Sequence, residues 1–302
     1  MAREYNTGDK RFEMFASTPG LQAMRLVISK ALTHSSNNRS PRRRKKALMI
    51  LDVKTAFLYA DVQRSIYINL PREDSMYTAD NQYVGRLVKS LYGTRDAPQC
   101  WQEHLRATLL MIGFRESTVR PGYFRHPDQD LDMCVHVDDL LVAGFREHLQ
   151  WFLEQLTKVY EVEHEILGND EDQKKEGAYL GRQLTWIVDE GVKVSPDPKH
   201  TAKLLADLGL DQCNGASTPF IGDSSIVSDE LVDIRQELET PERPPMPDVE
   251  ARRHRASVAR VVYLAQDRLD LGCVAVGLAK TMAVPRDGDH LKLVRAARYI
   301  KR

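Results

Sequence analysis

Asp52, Asp138 and Asp139 are the residues of this chain whose type and setting can do chemistry. Each interrupts an apolar stretch: Asp52 in Ala47-Leu48-Met49-Ile50-Leu51-Asp52-Val53, and the pair in Val135-His136-Val137-Asp138-Asp139-Leu140-Leu141-Val142. An unpaired carboxylate removed from water is costly, so carboxylates in buried strands need a compensating partner. A divalent cation is one. Hard oxygen ligands suit Mg²⁺, which takes one or two carboxylates together with substrate phosphates, with Mn²⁺ as an alternative of the same class. Three carboxylates on neighbouring strands can hold two ions about 3.5–4 Å apart, the arrangement that serves in-line phosphoryl transfer. Either segment alone also fits ordinary turn chemistry, since Asp at a strand end caps turns. Together, about 85 residues apart and each with apolar flanks, they point to a site. Alternation along the hairpin would send Asp138 and Asp139 to opposite faces, so only one of them is expected to reach the metals well.

The elements that must position these groups are legible from periodicity. Residues 47–53 form a strand, and 131–135 with 140–143 form the two arms of a hairpin around the Asp-Asp pair. Short strands are expected at 66–70 and 83–87. Pro98 opens a helix in which Trp101, Leu105, Leu109 and Ile112 share one face until Gly113 ends it. Helices are expected at 21–33 and 146–160. A second hairpin spans 179–187 and 192–194, turning near 189–191. From residue 198 the pattern is helical, and helices return at 251–267, 270–282 and 288–301. Strands that carry carboxylates come first and helices afterwards, so the fold class is α+β. The loop 35–46 ends in five consecutive bases, Arg42-Arg43-Arg44-Lys45-Lys46. Such a run contacts phosphate, serves nuclear import or is simply a solvated loop.

Length and composition set outer bounds. The chain has 302 residues, enough for about two domains. Its four cysteines, Cys100, Cys134, Cys213 and Cys273, are dispersed and form no CxxC pair, which argues against zinc and against a disulfide framework. No run of about 18 apolar residues is present, so no membrane partner is expected. The net charge is zero but uneven. Residues 221–250, a Pro-rich linker by composition, hold nine acids and two bases, a balance of −7 that leaves the rest of the chain at +7. A mildly basic body suits a nucleic-acid partner.

On these residues the chain resembles the reverse transcriptases of copia-type retrotransposons. Leu51-Asp52-Val53-Lys54-Thr55-Ala56-Phe57-Leu58 is similar to their motif A. Leu87-Val88-Lys89-Ser90-Leu91-Tyr92-Gly93 with Ala97-Pro98 and Trp101 is a long string specific to that family. His136-Val137-Asp138-Asp139 followed by Leu140-Leu141-Val142-Ala143-Gly144 resembles the catalytic hairpin. Tyr179-Leu180-Gly181 resembles the primer grip, and Ser217-Thr218-Pro219 a further family segment. Arg255 through Tyr263-Leu264 to Ala296, Arg298, Tyr299 and Ile300 resembles the region before ribonuclease H. The resemblance runs in order from about residue 12 to 302.

The resemblance implies a right-hand polymerase with an antiparallel palm sheet, packed helices, partial fingers and a helical thumb and connection. It divides the chain into partial fingers and basic loop (1–46), palm (47–194), thumb-like helices with the acidic linker (195–250) and connection (251–302). It implies DNA synthesis on RNA and DNA templates from dNTPs and a DNA primer, with two Mg²⁺ ions held by Asp52, Asp138 and Asp139. Phe57 falls where the family keeps a ring that excludes a ribose 2′-hydroxyl. Val53, Tyr92, Gly93 and Pro98 would line the nucleotide and template pocket, with Arg95 near phosphate. The family also implies polyprotein partners (ribonuclease H, integrase and protease domains) and cytoplasmic particles, while the basic loop allows a nuclear location. His136 departs from the usual Tyr, the fingers begin late, and no ribonuclease H carboxylate set follows. The chain is therefore expected to be a polyprotein piece or a degenerate copy. An inactive remnant that at most binds RNA–DNA hybrid is the competing reading. An unrelated two-metal nuclease is a third, against which the string from Tyr92 to Trp101 speaks.

Overall fold

The computed structural model describes residues 19–33, 46–80, 83–220 and 244–302. The stretch before residue 19, the bases from 39 to 45 and the acidic stretch 221–243 lie outside the described residues. The chain divides into two compact units: Met1–Leu180 with Leu184–Lys193, and Gly181–Gln183 with Val194–Arg302.

The strands in chain order are β1 (Ala47–Val53), β2 (Tyr67–Asn69), β3 (Val84–Arg86), β4 (Arg115–Glu116), β5 (Tyr123–His126), β6 (Leu131–His136), β7 (Asp139–Gly144), β8 (Val162–Leu167), β9 (Glu176–Tyr179), β10 (Arg182–Ile187) and β11 (Gly191–Pro196). Three helices belong to the first unit: α1 (Leu21–Leu32), α2 (Ala97–Ile112) and α3 (Arg146–Leu156). Its main sheet has the order β4-β5-β6-β7-β1-β8, with antiparallel pairing throughout. β2 and β3 form a separate ribbon, and β9, β10 and β11 a three-stranded sheet.

β1 is an interior strand covered on both faces, which is why Ala47–Leu51 is an apolar run and not an alternating one. Met49 and Leu51 join Met133, Leu140 and Val142 on the face that packs Trp101, Leu105 and Leu109 of α2 and Leu149, Phe152 and Leu156 of α3. Each such fully buried side chain contributes about 1.5–3 kcal/mol. On the opposite face α1 lies over β7, β6 and β1, burying Met24, Val27 and Ile28. α2 starts at Pro98 in its first turn and stops at Gly113, whose φ of +110° suits a residue without Cβ and whose N–H satisfies Leu109 and Leu110 carbonyls. α3 stops at Leu156, earlier than its apolar periodicity implies, and the Thr157 hydroxyl donates back to the Leu153 and Glu154 carbonyls.

Lys46, the last base of the basic loop, is not available to phosphate. It is buried, pairs with Asp130 at 2.8 Å and lies over the Phe145 ring.

The second unit is built from α4 (Pro198–Asp207), α5 (Asp248–Leu264), a 3₁₀ turn (Leu269–Leu271), α6 (Gly272–Lys280) and α7 (Asp287–Ile300). Leu204, Val258, Val261, Leu264, Leu271, Leu278, Leu293 and Ala297 form its core. Asp197 caps α4 by accepting from the Lys199 N–H at 2.9 Å, and Asp289 accepts from the Arg286 N–H at 3.1 Å at the start of α7. Arg182 and Asp267 form a buried ion pair at 2.9 Å, with the guanidinium also over the Tyr263 ring. No helix among the described residues is long and apolar enough to cross a membrane.

Candidate functional site

The register of β1 brings the carboxylates together. Asp52 is the direct partner of Asp139 on β7 and of Glu163 on β8. Asp139 in turn stands opposite His136 across the hairpin. Between them Val137 and Asp138 form the turn, with Val137 at φ +57°. A β-branched residue in the left-handed region is strained by about 1–2 kcal/mol. Two hydrogen bonds hold this turn. Val53 N–H donates to the Asp138 carbonyl at 3.1 Å, and Trp101 Nε1–H donates to the Val137 carbonyl at 2.7 Å.

Strict alternation, which would put Asp138 and Asp139 on opposite faces, does not apply. Asp138 sits in the turn itself, outside the pleat, and its carboxylate acts electrostatically on both Asp52 and Asp139. Asp52 is the exposed position of β1, yet partial shielding of its carboxyl, followed by Asp138 and Glu163, raises its pKa above the usual value. Lys54 opposes that rise. The half-buried Asp139 is raised by burial first, then by Asp138 and Asp52, with His136 pulling the other way. This is the electrostatic state of a cluster of anions short of positive charge.

Among the described residues no group of three or more His, Cys, Asp or Glu side chains is placed so as to hold a metal ion. The chemistry of the nearby side chains is that of hard oxygen donors, the type Mg²⁺ and Mn²⁺ take. The groups around Asp52 are carboxylate oxygens whose mutual repulsion a cation relieves, and such ions complete their shells with water and substrate phosphate. The cysteines do not join them: Cys100 and Cys134 are buried, Cys213 and Cys273 lie in the other unit, and all four are unbridged. Asp132, a further strand carboxylate, plays no part. It is fully buried and satisfied by the Tyr123 hydroxyl at 2.5 Å and by Arg125.

After β1, Thr55 at φ +50° turns the chain into a short 3₁₀ helix, Ala56–Tyr59. This presents the Phe57 ring to Tyr92, with centroids 4.4 Å apart. The Tyr92 hydroxyl lies by the backbone of Phe57 and Ala56, and its pKa is raised by burial and then by Asp138 and, more weakly, Asp52. Phe57, Tyr92 and the carboxylates therefore border one region. Gly93 follows at φ +101°, a conformation that suits glycine. Val53 is buried beneath Asp52. Pro98 faces a small cavity of 20 Å³ shared with Val137, behind the hairpin. Asp96, beside Arg95, accepts hydrogen bonds from Nε and Nη2 of Arg64 at 3.0 and 3.1 Å.

Tyr179 is buried, its hydroxyl against the Cys134 backbone and thiol, and burial pushes its pKa far up. Leu180 and Gly181, both with positive φ, form the two-residue turn between β9 and β10. Sequence reading missed three groups. Lys54 bridges Glu161 at 2.9 Å and Glu163 at 3.1 Å beside Asp52. Its position just past the end of β1, two residues after Asp52, was a usable signal. Glu163 carried none, since only the β1–β8 pairing places it. The indole bond of Trp101 to the hairpin was equally invisible.

A family model described as "Reverse transcriptase (RNA-dependent DNA polymerase)" matches residues 28–222. The chain is 27% identical over 259 residues to a retrovirus-related Pol polyprotein from transposon RE2 of Arabidopsis thaliana, covering 83% of this chain and 16% of that protein. It is 37% identical over 113 residues to a transposon Ty5-1 protein of Saccharomyces cerevisiae, covering 36% of each. It is 27% identical over 158 residues to the transposon Ty1-DR4 Gag-Pol polyprotein of the same yeast, covering 51% of this chain and 9% of that one. The chain thus spans a minor part of the polyproteins it matches.

Proposed function

The chain belongs to the reverse transcriptase family, in its copia-type retrotransposon branch, and on that premise we propose that residues 47–194 are the palm of an RNA-directed DNA polymerase. The observation that carries this reading is the rung that sets Asp52 against Asp139, with Asp138 in the adjoining turn. In this reading Asp52, Asp138 and Asp139 hold two Mg²⁺ ions. Bound there, the ions supply the Lewis acid that activates a primer 3′-hydroxyl and steadies the triphosphate of a dNTP.

This chain's own residues do the rest. β1 and the β6–β7 hairpin fix the carboxylates on rigid strands, so no reorganisation is needed when substrate arrives. Phe57, backed by Tyr92, closes the space where a ribose 2′-hydroxyl would sit. Gly93 shapes the same pocket, Pro98 and the buried Val53 support it from behind, and Arg95 approaches the phosphates. The Leu180-Gly181 turn, with Tyr179 anchoring it, offers backbone to the primer strand. The strands around residues 47–194 serve as palm, the helices after residue 195 as thumb and connection, and the segment before residue 47 as the end of the fingers. RNA template and DNA primer are the nucleic-acid partners, the remaining Pol domains the protein ones, and cytoplasmic particles the setting.

The test is primer extension on an RNA template with Mg²⁺, comparing the chain with its Asp138→Asn variant. Extension that disappears in the variant supports the reading. A folded chain that binds RNA–DNA hybrid with and without Mg²⁺ yet extends nothing overturns it, in favour of an inactive remnant.

A further inference from the structure

Trp101 is fully buried on α2, yet its one polar atom reaches out of the helix to the turn that carries Asp138. The indole N–H donates to the Val137 carbonyl at 2.7 Å, a short and direct bond. Val137 is the residue at φ +57°. Strained backbone persists only where its surroundings over-determine it, and here the neighbouring carbonyls are each held: Val137 O by Trp101 and Asp138 O by Val53 N–H. The Val137 carbonyl and the Asp138 N–H share one planar peptide unit. Fixing that carbonyl fixes the plane from which Asp138 departs, and with it the direction of the Asp138 side chain.

Trp101 is itself immobilised. Tyr160 meets it edge-on at 5.3 Å, Tyr59 lies at 6.4 Å, and His104 stacks at 6.1 Å. Tyr160 is tied in turn to Thr108 of α2 through a 2.7 Å hydroxyl bond. The donor therefore sits at the end of a rigid aromatic box and not on a loose side chain.

We infer that Trp101 is a positioning residue for Asp138, acting through the Val137 carbonyl to hold the carboxylate turn in its strained, productive form. The consequence for metal binding rests on the nucleotidyl-transfer reading; the geometric claim does not.

The test separates the two. Trp101 is replaced by Phe, and in a second protein by benzothienylalanine, which keeps the bicyclic shape and lacks only the N–H. Leu105→Ala, one turn along α2 and equally buried, is the packing control. Hydrogen exchange is read at the Val53 amide, which bonds the turn, relative to Met49 in the same strand. Both Trp101 replacements are expected to speed Val53 exchange about tenfold relative to Met49, the loss of roughly one hydrogen bond, while Leu105→Ala leaves the ratio unchanged. Mn²⁺ affinity, followed by electron paramagnetic resonance, is expected to weaken severalfold in the Trp101 variants only. An unchanged Val53 to Met49 ratio in the benzothienylalanine protein, or an equal change in Leu105→Ala, overturns the inference. A parent chain that binds no Mn²⁺ overturns the polymerase reading instead, and the exchange ratio still decides the role of Trp101.

Discussion

Asp52 stands directly opposite Asp139 in the last rung of a ladder whose five preceding rungs join only apolar residues and one glycine. Like charges directly opposite one another destabilise a sheet. A strand pair that ends this way gives up stability at one rung in exchange for a concentrated negative charge.

Asp139→Asn is therefore expected to stabilise the metal-free chain by about 0.5 kcal/mol, read as a higher urea midpoint at constant m-value. The same change should reduce primer extension by more than the roughly 10–100-fold typical of an outer-shell change at a metal site. A variant less stable than its parent in the absence of divalent ions would contradict the account of that rung.

Phe57→Ala opens the space beside Tyr92. The preference for dNTP over the matching ribonucleotide, measured as a ratio of kcat/KM values, should fall by roughly 10–100-fold. If the ratio holds while overall activity drops, Phe57 serves only as packing.

The buried Arg182–Asp267 pair lies wholly within the second unit. Removing one partner strands the other charge, so Asp267→Ala should cost about 3–5 kcal/mol. Replacing both, Arg182→Met with Asp267→Leu, should recover most of that loss in the same denaturation experiment. No recovery in the double variant would show that the single loss comes from elsewhere.

His254 on α5 is 3% exposed, and neither ring nitrogen has a hydrogen-bond partner. Burial holds its pKa below the usual 6.5, and His290 adds to that shift. Asp289 opposes it and Arg255 supports it, while Glu250, Arg253, Asp207 and Asp287 border the adjoining cavity of 490 Å³. Because the folded pKa lies below the unfolded one, the unfolded chain binds the extra proton first as pH falls through 6.5. Stability of the second unit should thus decrease from pH 7.5 to 5.5. His254→Leu should flatten that slope and add about 1 kcal/mol at neutral pH, as read by exchange of the α5 amides corrected for intrinsic rates. A slope that survives the substitution would locate the titrating group elsewhere.

The parts of the fold that could be read directly were those whose periodicity is pure. β1 is an apolar run with one carboxylate, α2 repeats Trp101, Leu105 and Leu109 on one face, and the Asp-Asp hairpin is flanked by apolar arms. What escaped were elements whose sequence is set by an edge or a partner. β8 runs Val162-Glu163-His164-Glu165-Ile166, with three polar residues in succession, because it borders the sheet, where charge discourages further pairing, and nothing in it announces a strand. β4 has two residues and β5 four, too few for a period to emerge. In the site, the Asp triad was legible because carboxylates in apolar runs are anomalous. The indole bond of Trp101 and the placement of Glu163 depend on contacts between segments distant in sequence, which no local pattern encodes.

β1 has a consequence for how the molecule is made. Its neighbours in the sheet are β7 and β8, both translated long after it. Until Leu167 has left the ribosome, Ala47–Val53 remains an apolar strand with at least one bare edge. Closing so distant a pairing is slow, and an unpaired apolar edge is where nascent chains adhere to one another. A chain cut short anywhere after Asp139 and before the end of β8 can thus carry every aspartate of the site and still be the form most prone to clump.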